Sequence, residues 1–391
     1  MKILEVVSMY FPAVAYAGPA GCARSQCLGL TKRGHEATIL TTDLESIAPL
    51  RRLRQAGNDG PLEVVRLPGV AARGARFATR VGISPFSFVD SPLADQWMES
   101  HAASYDVVLV HLARAVFPMR IAKKALAMRL PLYVQSHGML ARRSPLHYLT
   151  DAVTTRHILA GARSVLSLQD HEDGELRGIH PGCHLHRLPN GISQVGLPSW
   201  SPESTNVVLF VGRIHKRKRL PALIQAIGLM TMGGFPARLR VAGPDEGDLR
   251  NAQTEVARLG LQDQVEFLGS LSHESVFDEM QKATCLALPS ADEPFPRSVL
   301  EGLAIGIPAL VTETCHIAPL LAKHRAALVT GKSPESLKDG LSRLLLDDRL
   351  RENLATHGRE LITTHLNEAA VAHRLESLFL KRHANSTRTV R

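Results

Sequence analysis

Short runs of β-branched and other apolar residues recur along the chain, each separated from the next by residues at helical spacing. That alternation predicts strand–helix–strand units on parallel sheets. In the first half the runs place strands at Ile3–Ser8, Ala37–Thr41, Leu62–Leu67, Asp106–Val110, Leu132–Gln135 and Ser164–Leu168, with a shorter one near His184–Leu188. Stretches such as VVLV and SVLSL are apolar almost without a break, as strands buried on both faces are. A helix is expected over Cys22–Arg33, with Gly34 as its C-terminal cap.

The segment Pro189–Asn206 is rich in Pro, Gly, Ser and Asn and has no period, so it reads as a linker and hinge. A second alternating set follows. Strands are expected at Val207–Val211, Arg238–Ala242, Val265–Leu268, Cys285–Pro289, Ala309–Thr312 and Ala327–Val329, with helices at Leu220–Met232, Asp248–Leu259, His273–Lys282 and Ser298–Ala304. Beyond Pro334 the chain reads as helical over Leu337–Leu346, Leu350–Leu361 and Glu368–Lys381, and the basic tail Arg382–Arg391 is expected to fray. The fold class is therefore α/β, with two doubly wound Rossmann-like domains at 1–195 and 196–365. Residues 366–391 are expected to form a C-terminal helix, packing back on the first domain, with a basic tail. Two such sheets in tandem place a cleft between them, with ligands at the carboxyl ends of the strands.

The length, 391 residues, suits two domains, and 45% apolar with 21% charged residues excludes wholesale disorder. No stretch approaches ~18 uncharged apolar residues, so nothing is expected to span a bilayer. The opening MKILEVVSMYFP has one basic residue and carries Glu5 inside its apolar run, which fits a first strand and not a signal peptide. The expected location is the cytoplasm. Five cysteines without a C-x-x-C pair fit reduced structural thiols.

The net charge is +9, and only eleven of the forty-six basic residues are lysines. Either the arginines are scattered over the surface, or they serve partners bearing phosphates or an anionic membrane face. Few aromatics and no zinc-finger or similar signature argue against a nucleic-acid partner.

Three segments of the second half converge on one task. In VVLFVGRIHKRKRL a strand ends at Gly212, and Arg213 and Lys218 follow, five apart, before a helix. A forked donor and a point charge beside a helix start suit a ligand with several phosphate oxygens. The plain alternative is a solvated basic turn. In DEPFPRSVLEGLAIGIPALVT, Pro294 and Pro296 keep Glu293 on a loop, while Glu301 lies on a helix starting near Ser298. The free N–H groups of that helix offer a diphosphate site. Glu301 could hold a vicinal diol such as that of ribose, and Glu293 another hydroxylated ring. RVAGPDEGDL, a strand running into the turn 243–247, is either structural or a ligand contact.

The order GR-x₄-K, a Gly-Pro turn, FLGSL, then E-x₇-E and LA-x-G-x-P resembles the retaining glycosyltransferases of family 4, which have the GT-B fold. The likeness covers essentially the whole chain, taking in AYAGPAGCARS, KRGHEATILTTD and QSHGML of the first half. The resemblance implies a transferase moving a sugar from a nucleotide-diphosphate sugar, its co-substrate, to a glycan, a lipid-linked or another hydroxyl acceptor. The setting it implies is cell-envelope polysaccharide or glycoconjugate synthesis. Arg213 and Lys218 match the pair that grips the donor diphosphate, Glu301 the carboxylate on the ribose, and Glu293 the acid near the donor sugar. Phe295, Pro296, Arg297, Ser298 and Val299 match the loop that reaches sugar hydroxyls and phosphate. Gly18, with Ala17, matches the glycine loop of the first domain, and His137 the strand-end histidine near sugar and acceptor. The chain departs from the family at Ala17 and Pro296, where glycines are usual, and at Arg219, where a Gly often follows the lysine.

No metal is expected, because cations and a helix dipole can stabilise the leaving diphosphate. No D-x-D pair lies between strands, and the histidines lack clear ligand spacing; His184 and His186 fit a solvated strand. No enzymic base is assigned, since in the family the leaving phosphate is often proposed to accept the proton. Acceptor recognition is expected from Arg51–Val89, with Arg51, Arg52, Arg54, Arg73, Arg76 and Arg80, and from Ala141–His147 with Arg142 and Arg143. These arginines would dock a phosphorylated acceptor or the inner, anionic face of a membrane, or they are solvated loops. Equal partitioning into neutral and anionic liposomes counts against the membrane reading. Two other functions remain open on sequence alone: a sugar-nucleotide epimerase of similar architecture, and a non-catalytic nucleotide-sugar-binding subunit.

Overall fold

The alternation of apolar strands and helices produces two parallel sheets of the same strand order. The computed structural model describes residues 1–13, 17–47, 50–53, 57–71, 85–141, 145–193, 196–201 and 206–388. Its chain divides into a first unit, Met1–Gly191 with Glu368–Arg391, and a second unit, Ile192–Asn367.

In the first unit the main sheet consists of β1 (Lys2–Met9), β2 (Glu36–Thr42), β3 (Glu63–Leu67), β4 (Val107–His111), β5 (Leu132–Gln135), β6 (Ser164–Ser167) and β7 (Leu185–Arg187). Their spatial order is β7-β6-β5-β4-β1-β2-β3, all parallel. Alternate residues feed two cores. Leu4, Val6, Val108 and Val110 pack on one face with Phe117 and Ile121. Ile3, Val107, Leu109 and Tyr133 pack on the other.

Helix α1 spans Ala17–Lys32, one turn and more ahead of the expected start at Cys22. Pro19 permits this, because a proline in the first turn lacks an N–H that would have no helical partner anyway. Ala17 and Gly18 therefore lie in a helical turn and not in a glycine loop. Helices α2 (Val116–Ala127) and α3 (Asp170–Ile179) follow β4 and β6, and the C-terminal helix, α10 (Glu368–Arg388), also belongs to this unit. Val371, Leu375 and Phe379 join the core around Tyr133. It crosses α1 so closely that a Cβ on Gly29 would stand 2.7 Å from the Ala372 Cβ. Lys32 pairs with Glu368 at 2.6 Å, and Glu376 takes Arg33 and, at 3.0 Å, His35. The helix continues through Arg388 where fraying was expected from Arg382, because HANSTR contains no glycine or proline to stop it.

In the second unit β8 (Val207–Val211), β9 (Arg238–Ala242), β10 (Val265–Gly269), β11 (Cys285–Leu288), β12 (Ala309–Thr312) and β13 (Leu328–Thr330) form a parallel sheet in the order β10-β9-β8-β11-β12-β13. Between these strands lie α4 (Leu220–Met232), α5 (Leu249–Leu259), α6 (His273–Lys282) and α7 (Arg297–Ile305); α8 (Pro334–Leu346) and α9 (Asp348–His365) follow the last strand. Each sheet reverses its winding beside its first strand, between β1 and β4 and between β8 and β11. Crevices at such reversals are where doubly wound sheets hold ligands.

Candidate active site

In the second unit the reversal point gathers the residues with the expected spacing. Strand β8 leads into Gly212 and Arg213, then the short turn Lys216–Lys218 and Arg219, which precedes α4. The loop after β11 returns to this turn: Lys218 Nζ lies 2.8 Å from Glu293 Oε2, with side chains only 12% and 17% exposed. Backbone bonds fix the approach, Ala291 N–H donating to Arg217 O at 2.7 Å and His316 N–H to Glu293 O at 2.9 Å. Asp292 sits between them at φ +55, its carboxylate 3.5 Å from Arg217 and 3.1 Å from His316.

Arg213 is held elsewhere. Its Nη1 donates to both oxygens of Glu246, at 2.9 and 2.7 Å, in a pair open to solvent. Glu246 belongs to the turn after β9, which comes up against β8 because Gly243 has no side chain. A Cβ there would stand 1.9 Å from the Gly212 carbonyl oxygen. The Gly-Pro turn thus has a packing role and also supplies an acid.

Helix α7 begins at Arg297, with Pro296 as its N-cap and no side-chain cap. Arg297, Ser298 and Val299 therefore lie in a helical first turn and not in a loop. Their N–H groups are the unpaired ones of a helix start. The N–H missing at Pro296 lies outside the helix and leaves those three intact. Val299 is fully buried, so only its backbone can meet a ligand, and Phe295 is buried too. One turn on, Glu301 accepts from Arg297 Nε at 2.7 Å and faces His273 Nε2 at 3.2 Å. Both contacts fall on Oε1, and Oε2 takes neither. Burial pushes the Glu301 carboxyl up, but His273 and Arg297 together overcome that and hold it below its ordinary value. The same hydrogen bond raises His273.

In the first unit, His137 follows β5 in the left-handed region, at φ +52. The buried Glu172 braces the turn on both sides of it, accepting from Ser136 Oγ at 2.5 Å, Gly138 N–H at 2.5 Å and Leu168 N–H at 2.6 Å. His137 Nε2 stands 2.7 Å from His111 Nδ1, and His111 Nε2 stands 3.0 Å from Glu5 Oε2. Glu5 and His111 are buried. Burial pushes the Glu5 carboxyl well above its ordinary value and holds His111 down to about 3. Burial and then His111 lower His137 as well. Cys22 brings its sulfur within 4.8 Å of both imidazoles. The 2.7 Å separation is nevertheless a hydrogen bond, since two nitrogens on one tetrahedral ion stand roughly 3.3 Å apart. Gly18 is exposed, and a Cβ there would meet nothing within 4 Å.

The structure thus joins Lys218 with Glu293 and Glu301 with Arg297, while Arg213 pairs with Glu246. Glu246, His273, Glu5, His111 and Glu172 were not foreseen. Glu5 was the most legible of them, as a carboxyl inside an apolar strand. Of the expected acceptor arginines, Arg52 is tied to Gly69 O at 2.9 Å and sits 3.9 Å from Asp43. Arg51 is exposed on the short strand Leu50–Arg52, and Arg54, Arg73, Arg76, Arg80, Arg142 and Arg143 lie outside the described residues. None of the five cysteines is in a disulfide, and no described helix is long and apolar enough to cross a membrane.

Comparison with known proteins follows the same division. Residues 17–191 match the glycosyl transferase 4-like domain, and residues 198–361 match glycosyl transferases group 1. D-inositol 3-phosphate glycosyltransferase of Corynebacterium urealyticum is 31% identical over 203 residues, 48% of this chain and 47% of that protein. The chain thus spans about half the length of that relative. A putative teichuronic acid biosynthesis glycosyltransferase of Bacillus subtilis, TuaC, is 23% identical over 88% of this chain and 89% of that protein. Among solved structures, Anabaena HepE in complex with UDP and glucose superposes with a TM-score of 0.70 at 16% identity, over 97% of this chain and 100% of that one. By both of its matched segments and by its fold, the chain belongs to the family 4-like, group 1 glycosyltransferases of GT-B architecture.

Proposed function

We propose that the chain is a retaining, metal-independent glycosyltransferase that moves a sugar from a nucleoside-diphosphate sugar to a hydroxyl acceptor in cell-envelope polysaccharide or glycoconjugate synthesis. The observation that carries this reading is the Lys218–Glu293 pair at the reversal of the second sheet, with the uncapped start of α7 and the ionised Glu301 in the same unit. The named relatives are glycosyltransferases and none is an epimerase, so the epimerase reading is not favoured.

In this mechanism the diphosphate takes Arg213 from Glu246, an exposed pair worth about 0–1 kcal/mol and cheaply exchanged. Lys218 and the N–H groups of Arg297, Ser298 and Val299 meet the remaining phosphate oxygens. Oε2 of Glu301 accepts from the ribose diol, and Glu293, steadied by Lys218, meets a sugar hydroxyl. As the bond from the anomeric carbon to the phosphate oxygen breaks, these cations stabilise the charge growing on the diphosphate. The acceptor hydroxyl forms its bond to the anomeric carbon on the same face, and its proton passes to the departing phosphate oxygen. His137 positions the sugar or the acceptor. Acceptor recognition belongs to the first unit. There Leu149 and Val153, on the helical turns Pro145–Thr150 and Asp151–Thr155, are 63% and 71% exposed and offer apolar ground for a membrane-borne acceptor.

Thermal-shift measurements against UDP-, GDP- and ADP-sugars test the donor site. One base class should raise the melting temperature, and Arg213→Ala and Glu301→Ala should each abolish most of that rise. Variants that respond like the parent place the donor elsewhere. Transfer or donor hydrolysis, assayed with the same panel, separates an enzyme from a binding subunit.

A further inference from the structure

Family membership accounts for a histidine at the end of β5, but not for what stands behind it. Glu5, in the middle of β1, points into a polar seam inside the first unit, with His111 at the end of β4 and His137 beyond β5. The buried Cys27 thiol on α1 faces the Glu5 carboxyl. Also from α1, Gln26 donates to Gln135 Oε1 at 2.8 Å and to Cys22 Sγ at 3.2 Å, and Cys22 donates to Asn190 Oδ1 at 3.1 Å. Of Glu5, His111 and His137, only His137 has partial access to solvent; Glu5 and His111 have 0% and 2%.

We propose that Glu5, acting through His111, decides which ring nitrogen of His137 carries its proton. A neutral imidazole donates from one nitrogen and accepts at the other. When Glu5 is protonated on Oε2, the oxygen that faces His111, its O–H donates to His111 Nε2, so His111 carries its proton on Nδ1 and donates it to His137 Nε2. His137 is then forced to carry its own proton on Nδ1. When Glu5 is ionised it accepts from His111 Nε2–H, His111 Nδ1 becomes an acceptor, and His137 must donate from Nε2, leaving Nδ1 bare. One proton at Glu5 thus turns the outer edge of His137 from donor to acceptor across two rings, and the Asn190 side chain, a further hydrogen-bond partner of His137, favours its protonated edge. The burial that favours the uncharged forms of all three groups selects the first arrangement near neutral pH. Glu5 and His111 are positioning residues in this scheme, because neither reaches the surface. The consequence for sugar transfer rests on the reading of His137 given above, but the tautomer itself does not.

The test is a long-range ¹H–¹⁵N spectrum of the full chain labelled at histidine, with His137→Gln identifying the His137 signals. Near neutral pH the parent should show His137 with a protonated Nδ1 and a bare Nε2, and the two should exchange roles as pH rises through the Glu5 titration. In Glu5→Gln the amide N–H₂ can replace the carboxyl O–H, so the Nδ1–H form should persist at every pH. Glu5→Leu should return His137 to the mixed tautomers of a solvated imidazole. The proposal fails if Glu5→Gln shows the same pH-dependent exchange as the parent, a comparison that holds even if Glu5→Leu does not fold. It fails also if the neutral-pH parent carries its proton on Nε2. A chain inert toward every donor sugar would overturn the transferase reading without altering these spectra.

Discussion

The two sheets share one strand order yet furnish their reversal points in opposite ways. In the second unit the polar groups are ion pairs at the rim: Arg213–Glu246 in the open, Lys218–Glu293 half-sheltered, Arg297–Glu301 with one end exposed. In the first unit they are a chain of neutral groups inside the core, Glu5–His111–His137. Rim pairs lose little when a ligand replaces one partner, because water and the ligand's own charge take up the remainder. A buried chain has no such substitute, and each unmet donor costs roughly 1–3 kcal/mol. The second unit is built to exchange partners, and the first to keep them.

The largest effect is expected at Lys218. If Lys218 meets the leaving diphosphate as proposed, Lys218→Ala should cut turnover on the preferred donor sugar by about 10²–10³-fold, the usual loss when a group aimed at developing charge is removed. It should also cost some stability, roughly 1–3 kcal/mol, since Glu293 is only 17% exposed and loses its partner. Steady-state rates beside an unfolding curve decide it. A variant that loses stability but transfers normally makes the pair structural.

The rim was legible in sequence because its chemistry follows strand ends and helix starts, which periodicity and the two prolines mark. Leu220–Met232 and His273–Lys282 coincide with their expected ranges, and Lys218 with Glu293 lies where a strand–loop reading puts them. The buried seam was not legible as a site. Glu5 was noticed only as a charge inside an apolar run, and its partners are over a hundred residues away in β4 and beyond β5. Only the order of strands brings them together. Pair-by-pair ionic partners such as Glu246 and His273 escaped for a related reason: nothing local distinguishes them from surface charges.

The two units should also differ in how their stability responds to pH. Between its ordinary value of 4.5 and its raised folded value, Glu5 keeps a proton in the folded chain that the unfolded chain has lost. The first unit therefore loses stability as pH rises across that window. His111 runs the other way. Between its ordinary 6.5 and about 3 it lacks a proton that the unfolded chain binds, so stability falls as pH drops. Glu5→Gln removes only the former slope. Relative to the parent, the variant should gain about 1.4 kcal/mol per pH unit above 4.5, up to the Glu5 titration. Hydrogen exchange in β1 and β4, with β8 and β11 as the internal reference, measures it. Parallel pH profiles for the two proteins would mean that Glu5 is ionised in the fold.

The smallest effect expected lies at Arg219, where the resemblance has a glycine. Arg219 sits at φ +54 between the Lys216–Lys218 turn and α4, a conformation that favours glycine, and its Nη1 is buried without a hydrogen bond. A side chain held there costs roughly 1–2 kcal/mol in backbone strain. Glycine relieves that strain but gives back some of the gain through the freer unfolded chain. Arg219→Gly should therefore stabilise the second unit by about 1 kcal/mol at most, seen as slower hydrogen exchange in α4 with the first unit unchanged. The donor-induced thermal shift should survive, because the Lys218 ammonium keeps its Glu293 partner. If the shift disappears instead, the Arg219 guanidinium itself meets the diphosphate, beside the proposed contacts of Arg213 and Lys218.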